Sequence, residues 1–413
     1  MQMAMPLLAF AGLAAASLAL FRAARRLRSS LATPSSSSSA STPRSLLLEL
    51  DSLTVYNIVD NESDGMSGGC ACCQGDDATF EYTSEMDSHI AATKSLNFDT
   101  LCHAAHGLSL LLVGTRDGVT HTCLFDGGPN AAVFRENVEK LRLGTALGDV
   151  ENVVLSHYHI DHSGGLRSAI PAIAARREEH GRRPVVIDLH PDNPLSRGVR
   201  TQTGSYMTFQ PEGPTFTELE AMGAELAISR EGHLISDGCF YVSGEIPRTT
   251  AFETGMDNHW SKRARDHVSG VGSDDGGVWE KDGTIDDERY LCAKIKGKGI
   301  VVFSACSHAG IVNVVNDAVR KTGTPEVLGI LGGLHLAPYA QDDARLTSTI
   351  EGLKRHRPTT IVAGHCTGWR AKMMLATAFP EGFQPAAVGG RYDFAAEGYD
   401  DEGGGRSAQG FGH

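Results

Sequence analysis

The chain has 413 residues, 41% of them hydrophobic and 21% charged, an ordinary balance for a globular protein with side chains enough for a large core. Its formal net charge is −13, and residues 1–48 hold five arginines and no acid, so the remainder is more acidic still. That excludes broad binding of a phosphate backbone, and no nucleic-acid partner is expected.

Taken in chain order, residues 1–48 read as an address rather than a fold. Met3 to Phe21 is apolar, Arg22, Arg25, Arg26 and Arg28 follow, and serines run from Ser35 to Ser39. An acid-free, Arg- and Ser-rich start predicts an organelle transit peptide, mitochondrial or plastid. The apolar stretch is also near the ~20 residues that span a bilayer, and its basic flank would keep an anchored body facing the cytosol. Residues 3–21 are therefore the expected membrane contact, and residues 29–45 a linker.

"LTVYNIV" (53–59) predicts the first strand, and residues 60–88 a loop. Cys70, Cys72 and Cys73 in that loop lack the paired CxxC spacing of a structural zinc site and read as part of a cover over a site mouth. The nine cysteines are odd in number and mostly scattered, which points to a reducing compartment rather than a disulfide framework. "LSLLLVG" and "HTCLFDGG" predict neighbouring strands across "TRDG", and "AAVFRENVEKLRL" has helical spacing. From there strands and helices alternate. "NVVL", "PVVID", "CFYVS", "EVLGILGG" and "TTIVAG" are strands, and "YLCAKI" with "GIVVFSA" forms a hairpin. "LRSAIPAIAA", "IVNVVNDAVRK", "RLTSTIEGLKRH" and "RAKMMLATA" are helices. Residues 257–285 read as a polar insertion, and residues 395–413 as a disordered tail.

"LSHYHIDHSGGL" (155–166) places His157, His159, Asp161 and His162 directly after a strand. Two residues apart in an extended stretch, His157 and His159 project to one side. One ion cannot easily take all four groups from so short a loop. Two adjacent ions can, with His157 and His159 on one and Asp161 and His162 on the other. Further ligands must come from elsewhere, and His308, His335 and His365 stand at later strand ends. Imidazole with carboxylate suits zinc, though iron or manganese would fit the set.

"HYHIDH" matches the HxHxDH signature of the metallo-β-lactamase fold. The chain further resembles the branch similar to the archaeal dihydropterin–ribofuranosylaminobenzene-phosphate synthase. Its marks here are "HGLS", "FDGG", "SGEIPR", "DERYL", "SACSHAGI", "GGLHL" and "HCTG". The resemblance implies an α/β fold, a four-layer αββα sandwich, as a single domain over residues 50–394. It also implies a dinuclear metal site, with His157, His159 and His308 on one ion and Asp161, His162 and His365 on the other. Asp126 would orient the histidine loop rather than bind directly. Ala305 stands where the branch has glycine. The superfamily's bridging aspartate has no counterpart, and Cys306 and His308 occupy the strand end that usually supplies it, so whether Cys306 touches metal is open.

Two divalent ions would lower the pKa of a shared water toward ~7 and hold a phosphate or carbonyl oxygen. The expected catalytic residues are Asp161, which can orient that nucleophile, and His335, for substrate contact or proton donation. Arg248 is a candidate receiver of a substrate anion, and Asn61 of "DNES" a pocket-lining residue. The leading reading is a hydrolase or transferase acting on a small phosphorylated or pterin-like molecule. The alternatives are a non-catalytic metal-binding scaffold, against which the complete ligand set argues, and a di-iron redox protein. The last would need a flavin domain or an acidic loop ligand that the sequence lacks.

Overall fold

The computed structural model describes residues 47–64, 99, 101–264 and 276–399. The expectations for residues 1–46, for Cys70, Cys72 and Cys73, and for the tail beyond residue 399 lie outside the described residues. Those described belong to one compact unit, Arg44–His413.

The first half of the chain runs β1 (Glu49–Leu50), β2 (Ser52–Val59), β3 (Ser109–Arg116), β4 (Val119–Phe125), α1 (Ala131–Lys140), α2 (Gly144–Leu147), β5 (Val150–Val154), α3 (Ile160–Ser163), α4 (Leu166–Glu179) and β6 (Val186–Leu189). A stretch of short elements follows: β7 (Ser196–Arg200), β8 (Tyr206–Thr208), α5 (Phe216–Ala221), β9 (Glu225–Ile228), β10 (His233–Ile235), β11 (Phe240–Val242), β12 (Trp260–Ala264) and β13 (Gly277–Lys281). Longer elements return with β14 (Leu291–Ile295), β15 (Gly299–Ser304), α6 (Ile311–Thr322), β16 (Val327–Gly333), α7 (Ala344–His356), β17 (Thr360–Gly364), α8 (Trp369–Ala378), β18 (Phe383–Pro385) and β19 (Arg391–Ala395).

Side chains on a strand alternate between faces, so a strand apolar on both sides must be covered on both. In β3, Leu110 and Leu112 enter the central core while Leu111 faces the first helix layer. In β15, Val301 and Phe303 enter the same central core while Ile300 and Val302 face the second helix layer. The central core is thus shared by two sheets, ordered β19-β2-β3-β4-β5-β6-β9 and β10-β11-β14-β15-β16-β17-β18, with β1 beside β14. The outer layers follow from helical periodicity. Leu166, Ala169, Ile170 and Ile173 form the buried stripe of α4 on the first sheet. Ile311, Val314, Val315 and Ala318 of α6 do the same on the second. The result is the four-layer αββα sandwich that the family resemblance implies.

The polar insertion expected at 257–285 carries structure. β12 and β13 pair with each other and with β7 and β8 in a third sheet, ordered β13-β12-β7-β8. Ion pairs and rings replace an apolar core there: Arg263 bonds Asp192 and reaches Asp282 at 3.3 Å, and Tyr206 stacks on Trp279 at 4.4 Å.

β4 and β5 are parallel to each other, as are β15, β16 and β17 among themselves, so within each sheet their C-terminal ends share an edge. Four non-glycine residues just past strand ends on these edges take left-handed backbone angles: Asp126 (φ 62), Ser307 (φ 62), His335 (φ 47) and His365 (φ 46). Such angles persist only where the surroundings enforce them, and they cluster at functional sites.

Candidate metal centre

The loop after β5 turns into the single turn of α3 against the backbone of the "FDGG" segment. A Cβ on Gly165 would lie 1.8 Å from the Gly127 carbonyl oxygen, so only glycine permits this approach. The Gly127 N–H donates to the His162 carbonyl at 2.8 Å and locks the two segments together.

His157, His159 and His308, all buried, form one donor group whose ligand atoms lie within 4.8 Å of one another. His157 Nε2 faces His159 Nδ1 at 2.9 Å and His308 Nε2 at 3.2 Å. The outward nitrogen of His157 meets the Ser156 hydroxyl at 2.9 Å, and that hydroxyl donates to Asp126 Oδ2 at 2.7 Å. The hydroxyl has spent its proton, so it accepts from His157 Nδ1–H and leaves Nε2 bare. Burial, with the neighbouring imidazoles His162 and His159, holds His157 well below the ordinary histidine range.

Asp161, His162, Cys306 and His365 form a second group within the same limit. Asp126 Oδ2 accepts from His162 Nδ1–H at 2.7 Å, so His162 Nε2 is turned inward, 3.2 Å from Cys306 Sγ and 3.5 Å from Asp161 Oδ2. His365 Nδ1 meets Asn61 Oδ1 at 3.1 Å, and its Nε2 faces Cys306 Sγ at 3.2 Å and Asp161 Oδ2 at 3.3 Å. Burial opposes a charge on His162, but the Asp161 and Asp126 carboxylates outweigh it and raise its pKa to about 9. Burial likewise works against the Asp161 carboxylate, yet His162 and His365 hold it well below the usual range. The second group therefore attracts positive charge, while the first is neutral.

These residues fit divalent metal ions. Five buried imidazoles crowd together, and four have the nitrogen away from the centre tied to a partner. What converges is bare nitrogen, carboxylate and thiol, a donor set with no hydrogen-bonding logic of its own. Cys306 belongs to the second group by contact, at the strand end where an aspartate was sought.

The remaining predicted residues are placed as follows. His335 is half-buried beside His308, with ring centroids 4.4 Å apart, and its Nδ1 has no hydrogen-bond partner among the described residues. It also groups with Cys306 and Cys366, whose sulfur accepts the His335 backbone N–H at 3.3 Å. Arg248 donates to the carbonyls of His308 and Thr284, which pins the His308 loop. Asn61 bridges His365 to the Gly107 N–H and to His106.

Several contributors escaped the sequence reading. His259 is fully buried with Nε2 2.8 Å from His159 Nε2. His106 reaches Asp161 at 3.4 Å from the exposed side. The "DERYL" segment staples the two sheets' loops together. Asp287 accepts the Tyr158 N–H at 2.9 Å, and Glu288 accepts the N–H groups of His308 and Ala309 at 2.8 and 2.7 Å. Burial raises the Glu288 carboxyl to about 7. The motif itself was visible; what its acids hold was not.

Residues 106–245 match the model of the metallo-beta-lactamase superfamily. Over 284 residues the chain is 28% identical to the 7,8-dihydropterin-6-methyl-4-(beta-D-ribofuranosyl)-aminobenzene-5'-phosphate synthase of Methanocaldococcus jannaschii, covering 69% of this chain and 88% of that protein. An uncharacterized protein of the same archaeon is also 28% identical, over 66% of this chain and 88% of its own length. Among solved structures, a metal-dependent hydrolase of the beta-lactamase superfamily superposes with a TM-score of 0.55 at 20% identity, over 83% of this chain and all of the other.

Proposed function

We propose that this chain, whose residues 106–245 match the metallo-beta-lactamase superfamily model, is an enzyme, a hydrolase or transferase, that works with two divalent ions on a small phosphorylated or pterin-like substrate. One observation carries the proposal: two adjacent donor groups, His157/His159/His308 and Asp161/His162/Cys306/His365, share one buried centre. Zinc fits the nitrogen, carboxylate and thiolate set, and iron or manganese would be tolerated by its nitrogen and oxygen members. Such ions, when bound, supply Lewis acidity and a water acidified toward pKa ~7.

The chain's own residues supply the rest. Asp161, partly exposed at the lip of the centre, orients the nucleophile through the oxygen it shares with His162 and His365. His335 delivers a proton to the leaving group, a role supported by its place beside His308 and by an Nδ1 that has no hydrogen-bond partner among the described residues. A cavity lined by Ser307, His308, Leu334, His335, Tyr339 and Arg345 opens on that side. The Arg345 guanidinium lies 3.9 Å over the Tyr339 ring and donates to both oxygens of Asp343, at 3.0 and 2.6 Å, so it stiffens the rim of this cavity with its charge already paired. The substrate class is supported by the likeness to the archaeal synthase. Residues 1–48 are proposed to direct the chain to an organelle, or residues 3–21 to hold it at a membrane; no helix among the described residues is long and apolar enough to cross one.

Metal analysis of the purified full chain tests the centre, with two equivalents expected. A panel of phosphodiester, thioester and lactone substrates, extended to a dihydropterin with a phosphoribosyl aminobenzene, then tests the chemistry. Protein that holds no metal refutes the centre. Metal-loaded protein inert towards the whole panel favours the scaffold reading.

A further inference from the structure

His259 lies outside every motif, at the entry to β12, yet it is 0% exposed and its imidazole touches a ligand of the first group. The hydrogen-bond logic around it has one solution. His159 turns Nδ1 toward His157 Nε2, 2.9 Å away, which makes Nδ1 the inward atom. A nitrogen that binds metal carries no proton, so a neutral His159 has its proton on Nε2 and must donate it. The atom facing that proton is His259 Nε2, at 2.8 Å. His259 can accept only if its own proton sits on Nδ1, and Nδ1 lies 2.8 Å from the Asp282 carbonyl oxygen. A carbonyl can only accept, so it fixes the tautomer of His259, and His259 in turn fixes that of His159.

The anchor is rigid. The Asp282 N–H returns a bond to the His259 carbonyl at 2.9 Å, and the Asp282 carboxylate is held by the Ser261 hydroxyl at 2.5 Å and the Ile285 N–H at 3.2 Å. Phe209 flanks both imidazoles, with ring centroids 5.9 Å from His159 and 6.2 Å from His259. We propose that His259 is a positioning residue: through its bond to the Asp282 carbonyl it holds His159 in the tautomer and orientation that bind the first-group ion. The third sheet is then a support for the metal centre. This inference rests on the metal reading above. Groups that orient a ligand histidine in this way typically contribute ~10–100-fold to metal affinity.

The test is zinc titration of the metal-stripped full chain and of two variants, with imidazole ¹⁵N–¹H correlation spectra of the zinc-loaded wild type. His259→Phe keeps ring volume and removes the acceptor; one of two zinc affinities should fall ~10–100-fold while the other holds. His259→Gln keeps an acceptor for His159 and a donor for Asp282, and should restore most of that loss. The spectra should show His259 protonated at Nδ1 and His159 at Nε2. A wild type that binds no zinc overturns both this inference and the metal reading. Wild-type affinity in His259→Phe overturns this inference alone. So does a His259 protonated at Nε2, which can be read even if the Phe variant does not fold. A complete loss of one ion in both variants would make His259 a ligand, and that too overturns a positioning role.

Discussion

Replacing Asp126 by Asn changes one atom and should disable both donor groups. Asp126 is fully buried and accepts three hydrogen bonds, from Ser156 N–H, the Ser156 hydroxyl and His162 Nδ1–H, each at 2.7 Å. Asn occupies left-handed backbone about as readily as Asp, so the φ of 62° is no obstacle. The amide must turn its NH₂ one way or the other. Toward Ser156 N–H it places donor against donor inside the protein. Toward His162 it forces the ring proton from Nδ1 to Nε2, into the metal centre. It also takes the acceptor from the Ser156 hydroxyl, which orients His157. Hydrogen bonds to a charged partner contribute ~1.5–3 kcal/mol each, so with two disturbed a loss of about 3 kcal/mol in stability is expected. Metal affinity should fall ~10–100-fold at each ion. Chemical denaturation of metal-free protein and zinc titration of the same sample separate the two effects. A variant that loses stability but binds zinc like the wild type would refute the tautomer argument and leave Asp126 as a loop staple.

Four further outcomes are expected. His335→Ala should keep both metals and lower turnover by ~10²–10⁴, whereas His308→Ala should lose metal; metal loss in the His335 variant would make it a ligand. In cobalt-substituted protein, Cys306→Ser should abolish a thiolate-to-cobalt charge-transfer band, and a band that survives would assign the thiolate to Cys366. Deleting residues 1–44 should leave metal content unchanged and alter location in cells; a truncated chain that fails to fold would show that the segment supports the body. His233 donates to Asp188 at 2.6 Å, and that bond raises its pKa above the ordinary value. The bond's contribution is therefore full below the unfolded value of about 6.5 and fades as pH rises through the folded one. Thermal unfolding of His233→Gln should accordingly trail the wild type at pH 5.5 by a margin that shrinks toward pH 9, and a margin independent of pH would contradict this.

The elements of the sandwich were legible because the long ones carry their own signals, β3 and β15 as apolar runs covered on both faces and α4 and α6 at helical spacing, while their four-layer arrangement was what the family resemblance implied. The candidate donors were legible because the histidine loop, His308 and His365 each follow such a strand, and their division between two ions was what the family resemblance implied. The third sheet was not. β12 and β13 hold "WSKRA" and "GVWEK", with Ser261 and Val278 buried amid half-buried polar neighbours, and they cohere through Arg263, Asp282 and stacked rings. No local pattern announces such a sheet, and with it went His259. Partners far apart in the chain were equally hidden. Asn61 orients His365 across 304 positions, and Glu288 holds His308 from a strand entry with no period. A motif marks such residues without disclosing what they hold.

The centre draws its donors from both sheets, and the first sheet is closed by pairing β2 with β19, near the two ends of the folded region. Asp60, just past β2, accepts the His365 N–H at 2.8 Å across 305 positions. Bringing such distant segments together is the slow part of assembling a chain, because closure entropy must be met before the contacts reward it. Neither half of the polypeptide can prefigure the centre, and a nascent chain released as far as α6 still lacks His365. Tight metal capture is therefore a signal of assembled topology, available only after the segment that follows β17 has docked beside Asp60 at the end of β2.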